Sequence, residues 1–113
     1  MAASWVRLEQ RFYDSPLLPA QLKEQVQRTL AQRTGCESCK ALGSPEGTPA
    51  DVKTSLAVGF ATAVAASPAA EVTDAQFDVW REEFSEAETA ELVAFVSFMI
   101  GAQTFGALMR LQA

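Results

Sequence analysis

The segment that most narrows the fold is "SEAETAELVAFVSFMIGAQTFGALM", residues 85–109. Ser85 and Glu88 have the spacing of a capping box, in which each side chain bonds the other residue's backbone N–H at a helix start. Glu86, Glu88 and Glu91 put negative charge at that end, where the helix dipole favours it. Beyond them Leu92, Val93, Phe95, Val96, Phe98, Met99 and Ile100 cover every side of the helix. A helix apolar all round must be buried all round. One small helical domain covers such a helix incompletely, so the chain is expected to be all-α and to self-associate.

The remainder reads as shorter helices, about six in total, with no strand signal and no internal repeat. "SWVRLEQRFYD" sets Trp5, Leu8 and Phe12 on one face and is stopped by Ser15-Pro16. "PAQLKEQVQRTLAQR" carries Pro19 near its start and Leu22, Val26 and Leu30 at steps of four. Gly35 interrupts that helix, and the short "CESCKALG" closes at Gly43. "SPEGTPAD" is a loop. From about Pro49 a helix rich in alanine, with Gly59 and Thr62, offers a small-sided face to a neighbour and ends before Pro68. Thr73 caps a further helix carrying Phe77 and Trp80.

At 113 residues the chain makes one domain, residues 1–113, and 49% hydrophobic with 20% charged residues is the composition of a folded soluble protein. The net charge of −5 argues against a nucleic-acid partner, which requires a basic face. Residues 1–33 hold five Lys/Arg against three acids, and the remainder holds four against eleven. That imbalance suits packing of one subunit's front against a neighbour's back. The opening "MAASWVRLEQRFYDS" has charges at Arg7, Glu9 and Arg11 and no apolar core, unlike a signal peptide. The apolar run Leu92–Ala102 is about half the length that crosses a bilayer. The expectation is a cytoplasmic protein without a membrane partner.

"TGCESCKALG", residues 34–43, holds the only two cysteines, and the chain has no histidine. Zinc takes four ligands, normally cysteine or histidine, so one chain cannot complete a site, and no metal or cofactor is expected. A four-cysteine site shared across a two-fold axis stays open as an alternative. As a redox dithiol the pair needs thiolate, and a thiol with pKa near 8.5 is only about 3% ionised at pH 7. The start of a helix at Cys36 contributes about 0.3 to 1 kcal/mol, less than one pKa unit. Lys40, one turn on, helps by charge, and Glu37 opposes it.

A helix ending in Gly-Cys-x-x-Cys, followed later by Phe84, Ser85, Glu88, Glu91, Leu92 and then Gln103-Thr104-Phe105, resembles the carboxymuconolactone decarboxylase/alkylhydroperoxidase D-like family. The resemblance covers most of residues 20–110. It implies an all-α fold assembled as a trimer or hexamer, and a redox site in which a glutamate about twelve residues before the first cysteine accepts a proton near the thiols. Glu24 holds that position relative to Cys36. Ser38 and Gly43 stand where the redox members carry imidazoles or a tyrosine. Cys36, Cys39 and Glu24 are therefore the candidate catalytic residues. A carboxylate with pKa near 4.3 serves as base toward a thiol only if burial raises it toward about 7.

The implied activity is that of a peroxidase or disulfide oxidoreductase. A thiolate attacks a hydroperoxide or disulfide substrate, the second cysteine closes a disulfide, and an external dithiol reductant reopens it. The dipole and Lys40 favour Cys36 as attacker, whereas the resemblance favours Cys39. The alternatives are a non-catalytic oligomeric module or redox sensor with a degenerate motif, the intersubunit zinc site, and a decarboxylase. For the last, Arg33, Lys40 and Lys53 are too scattered to hold a dicarboxylate.

Overall fold

Caps and stops divide the chain close to where the sequence places them. The structure, a computed structural model, describes residues 2–47, 51–66 and 73–112. Six helices are found among the described residues, with no strand: α1 (Ala2–Asp14), α2 (Ala20–Thr34), α3 (Glu37–Lys40), α4 (Val52–Ala66), α5 (Asp74–Glu83) and α6 (Glu86–Leu108). Pro49 and Pro68, read as flanking the fourth helix, lie outside the described residues.

Pro19 is the N-cap of α2, where its missing N–H costs nothing. Gly35 ends α2 in the left-handed region at φ 76°, a conformation that residues with a Cβ enter at a cost. Thr73 with Gln76, and Ser85 with Glu88, form complete capping boxes on α5 and α6. Each such cap stabilises its helix by about 1 kcal/mol.

α2 is the central strut. Its Leu22, Val26 and Leu30 are fully buried, as the steps of four require. They meet Ala57, Phe60 and Ala61 of α4 on one side and Leu92, Phe95, Val96 and Met99 of α6 on the other. Each large apolar side chain in this layer contributes about 1.5–3 kcal/mol through burial. The alanines of α4 let α2 come close, as the small-sided face suggests. α5 closes one flank through Trp80, whose ring meets Phe60 edge-on at 4.6 Å between centroids and Phe77 at 5.3 Å.

α1 lies along α6. Trp5 packs on Phe98 and Phe105 at 6.0 and 5.4 Å, and Phe12 on Phe95 and Phe98 at 5.7 and 5.4 Å. A buried cation pins the turn between α1 and α2. Lys23, wholly enclosed, donates from Nζ to the carbonyl oxygens of Phe12, in the last turn of α1, and Ser15, just past its end. Glu91 of α6 stands 3.9 Å from the same ammonium. In the sequence Glu91 has only a place at the helix start; in the fold it faces inward, toward the Lys23 ammonium.

α6 is buried less completely than its composition suggests. Leu92, Phe95, Val96 and Met99 are enclosed, and Val93, Phe98 and Ile100 are half-buried against the same core. The outward positions are instead the small ones, Ala90, Ala94, Ser97 and Gly101. By length and mean hydropathy α6 passes for a bilayer-spanning helix, longer than the run Leu92–Ala102 implies. Its inward row is nonetheless a core layer of this fold.

Candidate functional site

Gly35 turns the chain out of α2, and Cys36 takes the next position with an extended backbone as the N-cap of α3. One turn of helix brings Cys39 round to it. The two sulfurs are joined as a disulfide with the Cα atoms 5.2 Å apart, within the usual range for such a bond. In this state neither sulfur is a thiolate, so zinc ligation would require the reduced pair.

The two cysteines differ in setting. Cys36 is wholly buried, whereas Cys39 is only partly so. Two donors converge on Cys36 Sγ: the Cys39 backbone N–H at 3.3 Å and Ser38 Oγ at 3.4 Å. A disulfide sulfur carries no proton, so the Ser38 hydroxyl is the donor in that contact. Both donors are aimed at the atom that becomes a thiolate if the bond opens toward Cys39.

α6 forms the wall behind the disulfide. A Cβ at Gly106 would lie 2.6 Å from Cys36 Sγ and 3.8 Å from Cys39 Sγ, so only glycine fits there without displacing the sulfur. One turn earlier Gln103, also buried, ties this part of α6 to α2. Its Nε2 donates to the Gln27 carbonyl at 3.0 Å, and its Oε1 accepts from the Thr34 hydroxyl at 2.9 Å. Gln27 in turn extends its amide to the Cys39 carbonyl at 3.4 Å. The disulfide is thus held from α2 and from α6 at once.

Glu24 sits on the outer side of α2, about half exposed, and its carboxylate is engaged by the Arg28 guanidinium one turn on. Both line an open groove of about 370 Å³ with Tyr13, Ala20, Gln27 and Leu42. Gln27 is therefore shared between this groove and the cysteine turn. Burial, then the charges of Glu9 and Glu24, push the Tyr13 hydroxyl up to about 12, so it remains protonated at neutral pH.

Lys40 pairs with Glu37 at 3.6 Å, both well exposed. An exposed pair of this kind contributes little and leaves neither charge committed to the sulfurs. Arg28 also packs over Gly43: a Cβ there would come within 3.0 Å of the guanidinium carbon, and the backbone has φ 129°. The space beside Gly43 is occupied by an arginine from α2.

The cysteine pair is thus assembled as the sequence suggests, and Glu24 faces the adjacent groove. Neither Gly106 nor Gln27 stands out in the sequence, and Gln103 does so only as part of a family-like ending. The available signals were a glycine inside a long apolar helix, where it costs about 1 kcal/mol against alanine, and a lone amide among hydrophobic neighbours. Among the described residues no cluster of potential metal ligands is present. No protein-family model matches this chain, and no curated protein matches it.

Proposed function

We propose that this chain is a thiol–disulfide oxidoreductase of the alkylhydroperoxidase D-like type, with Cys39 as the sulfur that meets substrate and Cys36 as its buried partner. The observation that carries this reading is the asymmetry of the disulfide. Two hydrogen-bond donors point at the enclosed Cys36 Sγ, while Cys39 is the partly exposed member.

In the reductive half-reaction a thiolate of an external dithiol attacks Cys39 Sγ. The S–S bond breaks, and the electron pair leaves on Cys36, where the Cys39 N–H and the Ser38 hydroxyl receive it. The carrier's second thiol then attacks its own sulfur in the mixed disulfide. Cys39 is released as a thiol and the carrier departs oxidised. In the oxidative half-reaction the Cys39 thiolate attacks a hydroperoxide oxygen, the O–O bond breaks, and the alcohol leaves with a proton. Cys39 is left as a sulfenic acid. Cys36 attacks that sulfur and expels water, which restores the disulfide. Overall, one hydroperoxide and two thiols give one alcohol, one water and one disulfide.

Glu24, the proton acceptor that the resemblance implies, is half exposed and engaged by Arg28, so it lacks the burial that would make it a base toward a thiol, and no such role is assigned to it. It shares the groove with Gln27, the residue that holds the Cys39 carbonyl. Its pairing with Arg28 favours a second reading, a redox sensor that closes its disulfide once without turnover.

Steady-state reduction of an organic hydroperoxide with a small dithiol as electron donor separates the two. The first reading expects turnover above that of the dithiol alone, abolished in Cys39→Ser. A disulfide that forms once per chain, with no catalytic rate, selects the sensor. A reduced pair that dilute peroxide leaves as dithiol, as judged by intact mass, removes both.

A further inference from the structure

α6 turns its large side chains inward and leaves a different row outside. Ala90, Ala94, Ser97, Gly101, Thr104 and Leu108 are all exposed, at intervals that alternate four and three residues. A row repeating every 3.5 residues is a seam along which a second helix packs. At 1.5 Å per residue it extends about 27 Å. No charged residue occurs between Leu92 and Met109, so this face lacks what a solvated helix presents to water. Toward its C-terminal end it broadens into Phe105, Met109 and Leu111, with Leu108 77% and Met109 60% exposed.

The two ends of the seam carry opposite charge. Arg110 follows the apolar end, and Glu86 opens the other, with Glu82 and Glu83 at the end of α5 just before it in the chain, all exposed. Among the described residues none of these four takes part in an ion pair. We infer that this face is a two-fold interface, in which α6 of one copy packs antiparallel on α6 of a second copy of the chain.

A second copy is the occupant because antiparallel self-pairing satisfies both ends together. Arg110 of each copy comes opposite Glu86, which opens α6 in the other, twice by symmetry. The two helix dipoles then also run in opposition. Alanine, serine and glycine at the centre let the axes approach to about 8 Å, the close end of helix packing. A lipid surface fits less well, since helices that lie on membranes carry lysine and arginine beside the apolar face, and this one opens with glutamates. The inference does not depend on the redox reading.

Sedimentation velocity of the full chain over a range of concentrations tests it. A dimer, or an even-numbered assembly containing a two-fold, is expected. In Gly101→Glu the added Cβ meets no neighbour within 4 Å, so the helical content of the monomer is unchanged. A carboxylate enclosed at mid-seam raises the dimer Kd by about 100-fold or more. Arg110→Glu and Glu86→Arg each weaken the dimer, and the two combined restore it. The inference is overturned by any of four results: a monomer at every concentration, a closed trimer, a dimer indifferent to Gly101→Glu, or a monomer that instead co-sediments with phospholipid vesicles.

Discussion

Gly106 of α6 lies directly against Cys36 Sγ, so close that a methyl group in its place would stand 2.6 Å from the sulfur. The long apolar helix α6 therefore gives up a side chain at the point where the cysteine pair is seated. Two opposing effects follow for Gly106→Ala. Helix propensity gains about 1 kcal/mol, whereas overpacking a filled site costs about 1–3 kcal/mol. The steric term wins because Cys36 is wholly enclosed and cannot retreat. Urea unfolding of the oxidised variant should show a net loss of stability, and equilibration with a thiol buffer should show a disulfide that is easier to reduce.

Ser38 offers a more selective change. Its hydroxyl is one of two donors to Cys36 Sγ, and a hydrogen bond to a charged acceptor contributes about 1.5–3 kcal/mol. Ser38→Ala should raise the thiol pKa of Cys36 by about one unit or more, at about 1.4 kcal/mol per unit. The Cys39 thiol should change little. Alkylation rate against pH, resolved by peptide mass, reads the two sulfurs separately.

Lys23 is the enclosed charge whose loss the fold tolerates least. Replacing it with methionine fills a similar volume but leaves the Phe12 and Ser15 carbonyls without their donor and Glu91 without its counter-ion. Breaking a buried pair from one side costs about 3–5 kcal/mol. Urea unfolding of Lys23→Met should show a loss of that order, and adding Glu91→Leu should return part of it. A loss under 1 kcal/mol would mean that the ammonium is not enclosed as described.

Glu88 links acid stability to the cap of α6. Its N–H···O bond from Ser85, then its contact with Lys53 at 3.0 Å, hold its carboxyl below the ordinary 4.5. A group with a depressed folded-state pKa stabilises the fold above its unfolded value, and that stability is lost as pH falls through the folded value. Wild type should therefore weaken below about pH 4.5. Glu88→Gln keeps the capping geometry and should flatten this dependence, as read from denaturant midpoints between pH 6 and pH 3.

Tyr13, the single tyrosine, reports on the groove. Its pKa of about 12 lies above the ordinary 10.0, mainly through burial. A raised phenol pKa means stability present below pH 10 and lost as pH rises from there toward 12. Phenolate absorbance should titrate with a midpoint near 12 in the folded chain and near 10 in urea.

Much of the fold was legible because it is written locally. Gly35, Thr73, and Ser85 with Glu88 set helix ends through bonds spanning a few residues, and such spacings survive in any tertiary context. The Cys36–Cys39 turn is legible for the same reason. Lys23 was not, because nothing in "QLKEQ" tells that one polar side chain points inward to cap a different helix. Gly106 and Gln103 were not, because their partners Cys36 and Gln27 lie far away in sequence and meet them only once α6 docks on α2. The apolar middle of α6 suggested burial on every side. Sorting it residue by residue shows large side chains within and alanine, serine and glycine without, a distinction that hydropathy alone blurs.

The most direct test of the redox pair is the pH dependence of Cys36 alkylation in reduced protein carrying Cys39→Ser, with reduced wild type alongside. The expected result is a Cys36 titration that moves to higher pH when Ser38→Ala is added to either protein, since a donor to the thiolate is then lost. A titration that Ser38→Ala leaves unchanged in both would contradict the donor arrangement, and with it the assignment of Cys36 as the leaving thiolate.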